Sequence, residues 1–345
     1  MITLLATVFV FAVIVLIHEW GHYITAKWTG MRVDEFAIGF GPKLWSVRKG
    51  ETEYSVRVVP LGGFTAIAGM TQEDTETAQV PIERAFVSQS APKRFLVIVA
   101  GAMMNFILAI VLMAGIFATQ GVTSLSPEPV VGGVVEHSAA AHAGILPGDR
   151  IIAINGREIA VWTDISPQVE QAGGNVIHVT VERDGVQQEL ETIPKQTEGR
   201  ILLGVTPSTT VRQVSAGDAV ILGVERCYLT VVQMLQALAG MVTGTTSGAD
   251  LAGPVGIAQL AGNVARTGFT NLLMFTAVLS LNLGLINLLP IPVLDGGRLV
   301  QIIWETIRGK RLPDEALYRI QMVGLIFLAA VFILATGNDL LRFLR

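Results

Sequence analysis

One apolar segment contains three ionisable side chains within a stretch of five residues: His18, Glu19 and His22. Histidines at positions i and i+4 share one face of a helix and can bind one metal ion. Glu19 borders that face and can take a proton from a water on the metal, whose pKa zinc lowers toward 7. The sequence therefore predicts a hydrolytic metal centre. The alternative is a pair of histidines hydrogen-bonded between helices, with Glu19 paired to one of them.

The apolar setting strengthens this prediction. Each ionisable group inside a membrane-spanning helix costs roughly 2.5–3.5 kcal/mol or more unless it is paired or functional. Three such groups in one apolar run are therefore hard to explain as filler.

A third metal ligand must come from elsewhere in the chain, because a catalytic zinc usually has three protein ligands and one open position. Trp28 stands six residues after His22, which excludes the metzincin spacing. The candidate is Asp295, at the end of a later apolar segment. The alternative for Asp295 is a turn or helix-cap residue before two glycines.

The composition indicates that lipid surrounds the elements that carry these residues. Of 345 residues, 51% are apolar and only 15% are charged, whereas soluble domains have about 25% charged residues. The net charge of −4 gives no argument for a nucleic-acid partner. The single cysteine, Cys227, excludes an internal disulfide framework and a cysteine-rich zinc module.

Four apolar segments are long enough to span a bilayer, which needs about 20 residues. They are residues 2–28, 95–120, 269–289 and 320–336. The first is interpreted as an uncleaved span, because it has neither a positive n-region nor an A-x-A site. Residues 219–243 are also apolar, and Glu225 and Arg226 favour an amphipathic surface helix there over a fifth span.

Basic residues in the two short loops set the predicted topology, because positive loops remain in the cytoplasm. They are Arg32, Lys43, Arg48, Lys49, Arg57, Arg84, Lys93 and Arg94 in one loop, and Arg298, Arg308, Lys310 and Arg311 in the other. Residues 121–267 then lie outside. The first span enters the cytoplasmic face after His22 and the third reaches it by Asp295, so the candidate ligands lie at one depth.

The segments between the spans have strand and turn patterns. Residues 31–70 read as short strands and turns that can dip into the membrane, and residues 71–83 as a solvated loop. Residues 122–206 read as a soluble domain. Its expected strands are 130–135, 150–154, 176–183 and 188–193, with a helix at 164–171 and turns at Asn155-Gly156 and Asp184-Gly185.

These motifs together resemble the site-2 proteases, most closely the bacterial RseP-type branch. The resemblance rests on the first-span His-Glu-x-x-His and on Leu-Asp-Gly behind the Asn-Leu-Leu-Pro-x-Pro run at 287–292. Gly39-Phe40-Gly41 is similar to the family's membrane re-entrant segment. Gly101 and Asn105 match its Gly-x-x-x-Asn element, although Ala102 stands where proline is expected. The segment 253–257 is similar to the one before the third span, and 143–156 looks like part of a PDZ domain.

The resemblance implies a polytopic α-helical membrane protein with about four transmembrane helices, membrane-associated β-strand segments and an extracytoplasmic PDZ-like α+β domain. The expected parts are a membrane core at 1–120, the PDZ-like domain at 121–207, an amphipathic membrane-surface linker at 208–267 and a second core at 268–345. The expected location is the bacterial inner membrane, with the active site near its cytoplasmic face.

The implied activity is zinc-dependent proteolysis of single-span membrane proteins, such as anti-sigma factors or signal-peptide remnants, in or beside their transmembrane segments. Metal ligands would be His18, His22 and Asp295, and the catalytic base Glu19. The PDZ-like domain would filter substrates by size or bind a peptide, with a groove expected at 130–135.

The family also assigns substrate contacts to the end of the third span. Asn282 and Asn287 are the polar side chains there, with interhelical hydrogen bonding as their alternative role. Gly39, Phe40 and Gly41 belong to the strand segments expected to hold an unwound substrate.

Two other functions fit parts of the sequence. A non-catalytic PDZ membrane adaptor would keep the fold but has no need of Glu19. A metal transporter would distribute polar groups through the depth of the bilayer, whereas here they cluster at one depth.

Overall fold

The computed structural model describes residues 1–70, 82–197, 200–245 and 253–343. The chain divides into two compact units. The helical unit comprises Met1–Phe117 and Ser215–Arg345, and the inserted unit comprises Ala118–Val214. Of the loop expected at 71–83, residues 71–81 lie outside the described part, and Ile82–Arg84 form a 3-10 turn.

The elements follow one another in this order: α1 (Ile2–Trp28), β1 (Val33–Lys49), β2 (Thr52–Ile67), α2 (Ala91–Gln120), β3 (Val122–Leu125), β4 (Val131–Val134), α3 (Ala139–Ala143), β5 (Arg150–Ile154), β6 (Arg157–Glu158), α4 (Ile165–Gln171), β7 (Ile177–Arg183), β8 (Val186–Thr192), β9 (Lys195–Thr197), β10 (Arg200–Leu202), β11 (Val205–Pro207), β12 (Thr209–Arg212), α5 (Ala216–Thr243), α6 (Pro254–Thr267), α7 (Phe269–Leu288), α8 (Asp295–Arg308) and α9 (Asp314–Phe343).

Four helices are long and apolar enough to cross a membrane: α1, α2, α7 and residues 315–341 of α9. They confirm the four predicted spans, although α2 and α9 are longer than expected. Helix α2 begins before its apolar run, and its residue Arg94 is paired with Glu305. Helix α9 includes Arg319, whose side chain reaches Glu315 one turn earlier. Helix α5 is continuous over the fifth apolar stretch and is not among the four.

The predicted short strands of 31–70 are two long strands of 17 and 16 residues. Residues 35–38 of β1 pair with 63–66 of β2 and also with 53–56. Gly39 and Gly41 have φ values of +89° and +86°, which glycine adopts at no steric cost. The stretch Gly63–Ile67 therefore forms an outer strand of this sheet.

Charged groups fix the β1–β2 turn. Glu51 accepts hydrogen bonds from Arg84, at 2.6 Å, and from Lys27, at 2.7 Å. These bonds, that of Arg84 above all, lower the pKa of the Glu51 carboxyl to about 2. The turn is thereby attached to the end of α1 and to the 3-10 turn.

One apolar core lies under the end of α1, the sheet, α2 and α8. Its buried members are Ala26, Met31, Val33, Ile67, Phe86, Val97, Ile98, Leu299 and Ile302. Helices α1 and α2 approach closely at Gly21, where a Cβ atom would lie 2.5 Å from the Ala100 carbonyl oxygen. The elements that carry His18, Glu19, His22 and Asp295 thus share one packed core.

A buried carboxylate attaches α9 to the start of α6. Asp339 accepts hydrogen bonds from the backbone N–H groups of Gly253, at 3.0 Å, and Gly256, at 2.7 Å. These are N–H groups that a helix start leaves without an intrahelical partner. Helix α6 also shares a core of Ala6, Val10, Ala261 and Leu272 with α1 and α7.

The inserted unit contains a four-stranded sheet in the order β6-β5-β7-β8. Its predicted strands and its helix at 164–171 are confirmed within two residues at each end. Asn155 and Asp184 have φ values of +51° and +52° at the predicted turns. Arg183 forms an ion pair with the buried carboxylate of Asp149, at 2.7 Å, and thereby lowers the pKa of that carboxyl.

The remaining strands of the inserted unit pair in twos: β3 with β12, β4 with β11, and β9 with β10. Strands β9 to β12 are three or four residues long and too short to show a period. A small cleft lies between α4 and residues 201–205, lined also by Trp162. Residues 131–134 form strand β4, which pairs with β11 and does not line this cleft, and the groove expected at 130–135 stays a prediction.

Candidate metal centre

The structure brings His18, His22 and Asp295 together. The Nε2 atoms of the two histidines lie 3.3 Å apart. Asp295 Oδ2 lies 3.2 Å from His18 Nε2 and 3.3 Å from His22 Nε2. A tetrahedral zinc ion with bonds of about 2.0–2.1 Å separates its ligand atoms by about 3.3–3.4 Å. The three atoms therefore form one face of a tetrahedron that fits zinc.

The surroundings of these atoms also fit a cation. Both histidines are buried. Among the described residues, none gives Asp295 Oδ2 a hydrogen bond of acceptable geometry, although this oxygen is buried. A buried carboxylate oxygen without a hydrogen bond is costly, and a bound cation removes that cost. Two imidazoles and one carboxylate are a common ligand set of catalytic zinc.

The backbone of α2 orients the ring of His22. The Nδ1 atom of His22 lies 2.9 Å from the carbonyl oxygen of Val97. A carbonyl can only accept, so Nδ1 carries the proton and Nε2 keeps its lone pair for a metal. The sequence analysis did not identify Val97, because a backbone acceptor has no residue-type signal.

Gly101 of α2 lies directly against both rings. A Cβ atom at this position would lie 2.3 Å from His22 Nε2 and 2.9 Å from His18 Cε1. The glycine therefore leaves the space that the imidazoles occupy. This gives a physical reason for a residue that the sequence marked only by resemblance.

Asp295 begins a helix and does not end the third span, which corrects the prediction. Helix α7 ends at Leu288, and α8 begins with Asp295. The intervening residues 289–294 contain two prolines, which cannot continue a helix, and Val293 has a φ of +83°. The residue at the N-cap of α8, Leu294, makes no side-chain capping hydrogen bond. Asp295 thus lies beside the histidines, as predicted, but at the start of α8 rather than at the end of the third span.

Two glycines allow this reversal of the chain. A Cβ atom at Gly296 would lie 2.0 Å from the carbonyl oxygen of Leu289, and one at Gly297 would lie 2.5 Å from that of Ile291. Larger residues would push the start of α8, and Asp295 with it, away from the histidines.

The carboxylate of Glu19 is held by the outer strand of the sheet. Thr65 Oγ1 lies 2.9 Å from Glu19 Oε2 and 3.0 Å from the Glu19 carbonyl oxygen. Among the described residues, neither histidine hydrogen bonds to this carboxylate, which disfavours the alternative of a histidine–glutamate pair. Thr65 was not identified from the sequence, because a lone threonine in a strand has no distinguishing pattern.

The residues predicted to contact substrate occupy two other places. Asn282 and Asn287 are half-buried on α7, and within the described residues neither side chain has a hydrogen bond. Phe40 is 48% exposed and stacks on Phe64 at 6.4 Å between ring centroids. The described contacts do not join Asn282, Asn287 or Gly39–Gly41 to the three metal-centre residues.

Comparison with known proteins identifies the family. Residues 6–331 match the family described as Peptidase family M50. A zinc metalloprotease RasP of Oceanobacillus iheyensis is 31% identical over 99% of this chain and 99% of its own length. A regulator of sigma-W protease RasP of Bacillus subtilis is 32% identical over 99% of this chain and 98% of its own length. The resemblance inferred from the motifs is thereby confirmed, and the chain belongs to peptidase family M50, the site-2 protease family.

Proposed function

We propose that this chain is a zinc-dependent intramembrane peptidase that hydrolyses peptide bonds in or near the transmembrane segments of single-span membrane proteins. The observation that carries the proposal is the convergence of His18 Nε2, His22 Nε2 and Asp295 Oδ2 to 3.2–3.3 Å. These atoms hold the zinc ion, and Glu19 beside them is the base.

Zinc, when bound, supplies Lewis acidity toward the scissile carbonyl and toward water. Glu19 takes the proton of the attacking water and delivers it to the leaving amine, which requires a carboxylate at a fixed position. Thr65 supplies that fixation through its hydrogen bond to Glu19 Oε2.

A substrate helix must be unwound before its carbonyls can react, because they are engaged in its own hydrogen bonds. The outer strand Gly63–Ile67 contacts Glu19 through Thr65, so an unwound segment that adds to this strand runs beside the base. Asn287 and Asn282 offer side-chain hydrogen bonds to that segment. The exposed ring of Phe40, held by the Gly39–Gly41 bend, offers an apolar contact.

The inserted unit has a separate role in this proposal: as a PDZ-like domain, it selects substrates by size or by docking. Because PDZ domains bind extended peptides by strand addition at a sheet edge, the proposed docking site is the groove at 130–135, with the cleft between α4 and residues 201–205 as a second place. The name of the Bacillus subtilis relative refers to sigma-W regulation. By extension, we propose an anti-sigma factor among the substrates, with signal-peptide remnants as a second class.

The zinc site is proposed to face the cytoplasm, and the inserted unit the outside, of a bacterial inner membrane. Single cysteines at Asp184 and Lys310, both exposed, in a Cys227→Ala background test this sidedness. A membrane-impermeant maleimide added to intact spheroplasts is expected to label Asp184→Cys and to spare Lys310→Cys. The opposite pattern would reverse the proposed topology.

Cleavage of a tagged single-span protein by the purified chain in detergent tests the activity. Glu19→Gln is expected to abolish cleavage and retain zinc, and a chelator is expected to abolish cleavage reversibly. The control is Glu189→Gln, because Glu189 is an exposed carboxylate of the inserted unit. Full cleavage by Glu19→Gln would contradict the mechanism. If the parent chain and Glu19→Gln bind the same single-span proteins equally and neither cleaves them, the result would favour the non-catalytic PDZ adaptor.

A further inference from the structure

The ring of His18 has a buried partner on the side away from the metal centre. His18 Nδ1 lies 3.3 Å from Asn105 Nδ2. Asn105 lies on α2 and is completely buried. Among the described residues, none forms a hydrogen bond with the other amide atom, Asn105 Oδ1. One buried amide thus has its nitrogen at the imidazole and its oxygen without a partner.

This orientation conflicts with metal binding by His18. An amide nitrogen can only donate, so His18 Nδ1 would have to be the acceptor. The proton of the neutral ring would then lie on Nε2, which points at Asp295 Oδ2 and His22 Nε2. A metal ligand needs a lone pair at that atom. His22 shows the compatible arrangement, with Nδ1 facing a carbonyl oxygen.

A half-turn of the Asn105 amide removes the conflict. The oxygen and nitrogen of an asparagine amide have nearly the same shape, and the hydrogen-bond network decides which is which. After the half-turn, Oδ1 faces His18 Nδ1–H, the orphaned acceptor gains a donor, and Nε2 keeps its lone pair. We propose that Asn105 is a positioning residue of the metal centre, whose Oδ1 accepts a hydrogen bond from His18 Nδ1–H and so holds the tautomer that binds zinc.

Helix α7 fixes Asn105 in this position. Ser280 Oγ donates to the Asn105 carbonyl oxygen at 2.9 Å. A Cβ atom at Gly284 would lie 3.1 Å from the Ala102 carbonyl oxygen and 3.3 Å from Asn105 Cβ. The close approach of α7 keeps the amide buried at its distance from the ring. A buried acceptor of this kind acts on metal affinity through the orientation and basicity of the ligand ring.

Zinc affinity of the full chain tests the inference, which rests on the proposed function because it assumes that His18 binds zinc. The measurement is competition with a chromogenic chelator in detergent. Asn105→Leu, of similar volume but without an acceptor, is expected to weaken zinc binding about 10- to 100-fold. Asn105→Asp is expected to stay close to the parent, because a carboxylate accepts from His18 Nδ1–H but cannot donate. An Asp variant as weak as the Leu variant would overturn the acceptor role.

Two controls separate this role from packing and from the metal site itself. Thr276→Val removes another buried hydrogen bond of α7, from Thr276 Oγ1 to the Leu272 carbonyl oxygen, and is expected to leave zinc affinity unchanged; a loss as large as that of Asn105→Leu would attribute the effect of Asn105→Leu to packing. If Asn105→Leu does not fold, Asn105→Ala takes its place, because alanine also lacks an acceptor for His18 Nδ1–H. His18→Ala is expected to abolish tight binding. Loss with His18→Ala but full affinity with Asn105→Leu would contradict this inference alone, whereas full affinity with His18→Ala would contradict the metal site.

Discussion

At the residue scale, the proposed base and the proposed metal ligands depend on neighbours that do no chemistry themselves. Val97 holds His22 through a backbone oxygen, and Thr65 holds Glu19 through a hydroxyl. Each contact fixes one atom of a reacting group. Such supporting contacts have measurable effects because small displacements at a reacting centre are costly.

Thr65→Val removes the hydroxyl and keeps the shape of the side chain. A hydrogen bond to a charged group contributes about 1.5–3 kcal/mol. If about half of this acts in the transition state, kcat falls about 3- to 10-fold, while zinc content and KM stay unchanged. Steady-state kinetics on a tagged substrate measures the effect. Thr65→Ser keeps the donor and is expected to restore kcat; a serine variant as slow as the valine variant would refute the role of the hydroxyl.

Gly101→Ala inserts a methyl group into the space of the His18 and His22 rings, the proposed metal ligands. Since its Cβ atom would lie 2.3 Å from His22 Nε2, we expect stoichiometric zinc binding to be lost. Gly115→Ala on the same helix is the matched control, because a Cβ atom there has nothing within 4 Å. Metal analysis of both purified variants decides, and equal zinc content in the two would disprove the close packing of α2 on the histidines.

At the element scale, a buried ion pair fixes the helix that begins with Asp295. Arg94 Nη1 on α2 lies 2.9 Å from Glu305 Oε2 on α8, with 12% and 5% of their side chains exposed. Gln301 donates to the other oxygen of Glu305 at 3.0 Å. The pair therefore connects α8 to the same helix that orients the histidines, and α8 carries Asp295, the proposed third ligand, beside them.

Glu305→Ala leaves the guanidinium of Arg94 buried without its carboxylate. Breaking a buried pair in this way costs about 3–5 kcal/mol, so we expect a lower unfolding temperature and weaker zinc binding. The double variant Arg94→Leu with Glu305→Leu removes both charges and is expected to be less destabilised than Glu305→Ala. Thermal unfolding in detergent compares them. If the double variant unfolds at as low a temperature as Glu305→Ala, the loss of stability does not come from an unpaired buried charge on Arg94.

At the scale of the whole molecule, the chain enters and leaves the inserted unit through two adjacent strands. Strands β3 and β12 are paired, with Val122 opposite Arg212. Paired residues of neighbouring strands lie about 4.5–5.5 Å apart, so a short linker can replace everything between them. The residues of the metal centre all belong to the helical unit.

Replacing residues 123–211 by a short Gly-Ser linker is therefore expected to preserve zinc binding. If the inserted unit excludes large outer domains, the shortened chain cleaves full-length and truncated single-span substrates at similar rates, whereas the intact chain favours the truncated one. Parallel cleavage assays measure this ratio, with zinc content as the control for folding. An unchanged preference would remove the size filter from the proposed function.

The sequence by itself determined what depends on neighbours along the chain. The i, i+4 spacing placed His18 and His22 on one helix face, apolar length gave the four spans, and Asn155 and Asp184 marked turns of positive φ. These signals work because helix periodicity, span length and turn conformation are set within a few residues. Asp295 became the candidate third ligand because it follows a later apolar segment at the depth of the histidines, and the resemblance to a family agreed with it.

Only the tertiary structure decided how distant segments meet. It placed Asp295 at the start of α8, Thr65 on the carboxylate of Glu19 and Asn105 beside His18. It also bent 31–70 into two long strands and paired Arg94 with Glu305. These contacts join residues far apart in the chain, and common residue types such as Thr, Asn and Gly acquire their roles there from packing and hydrogen-bond geometry, which no local pattern encodes.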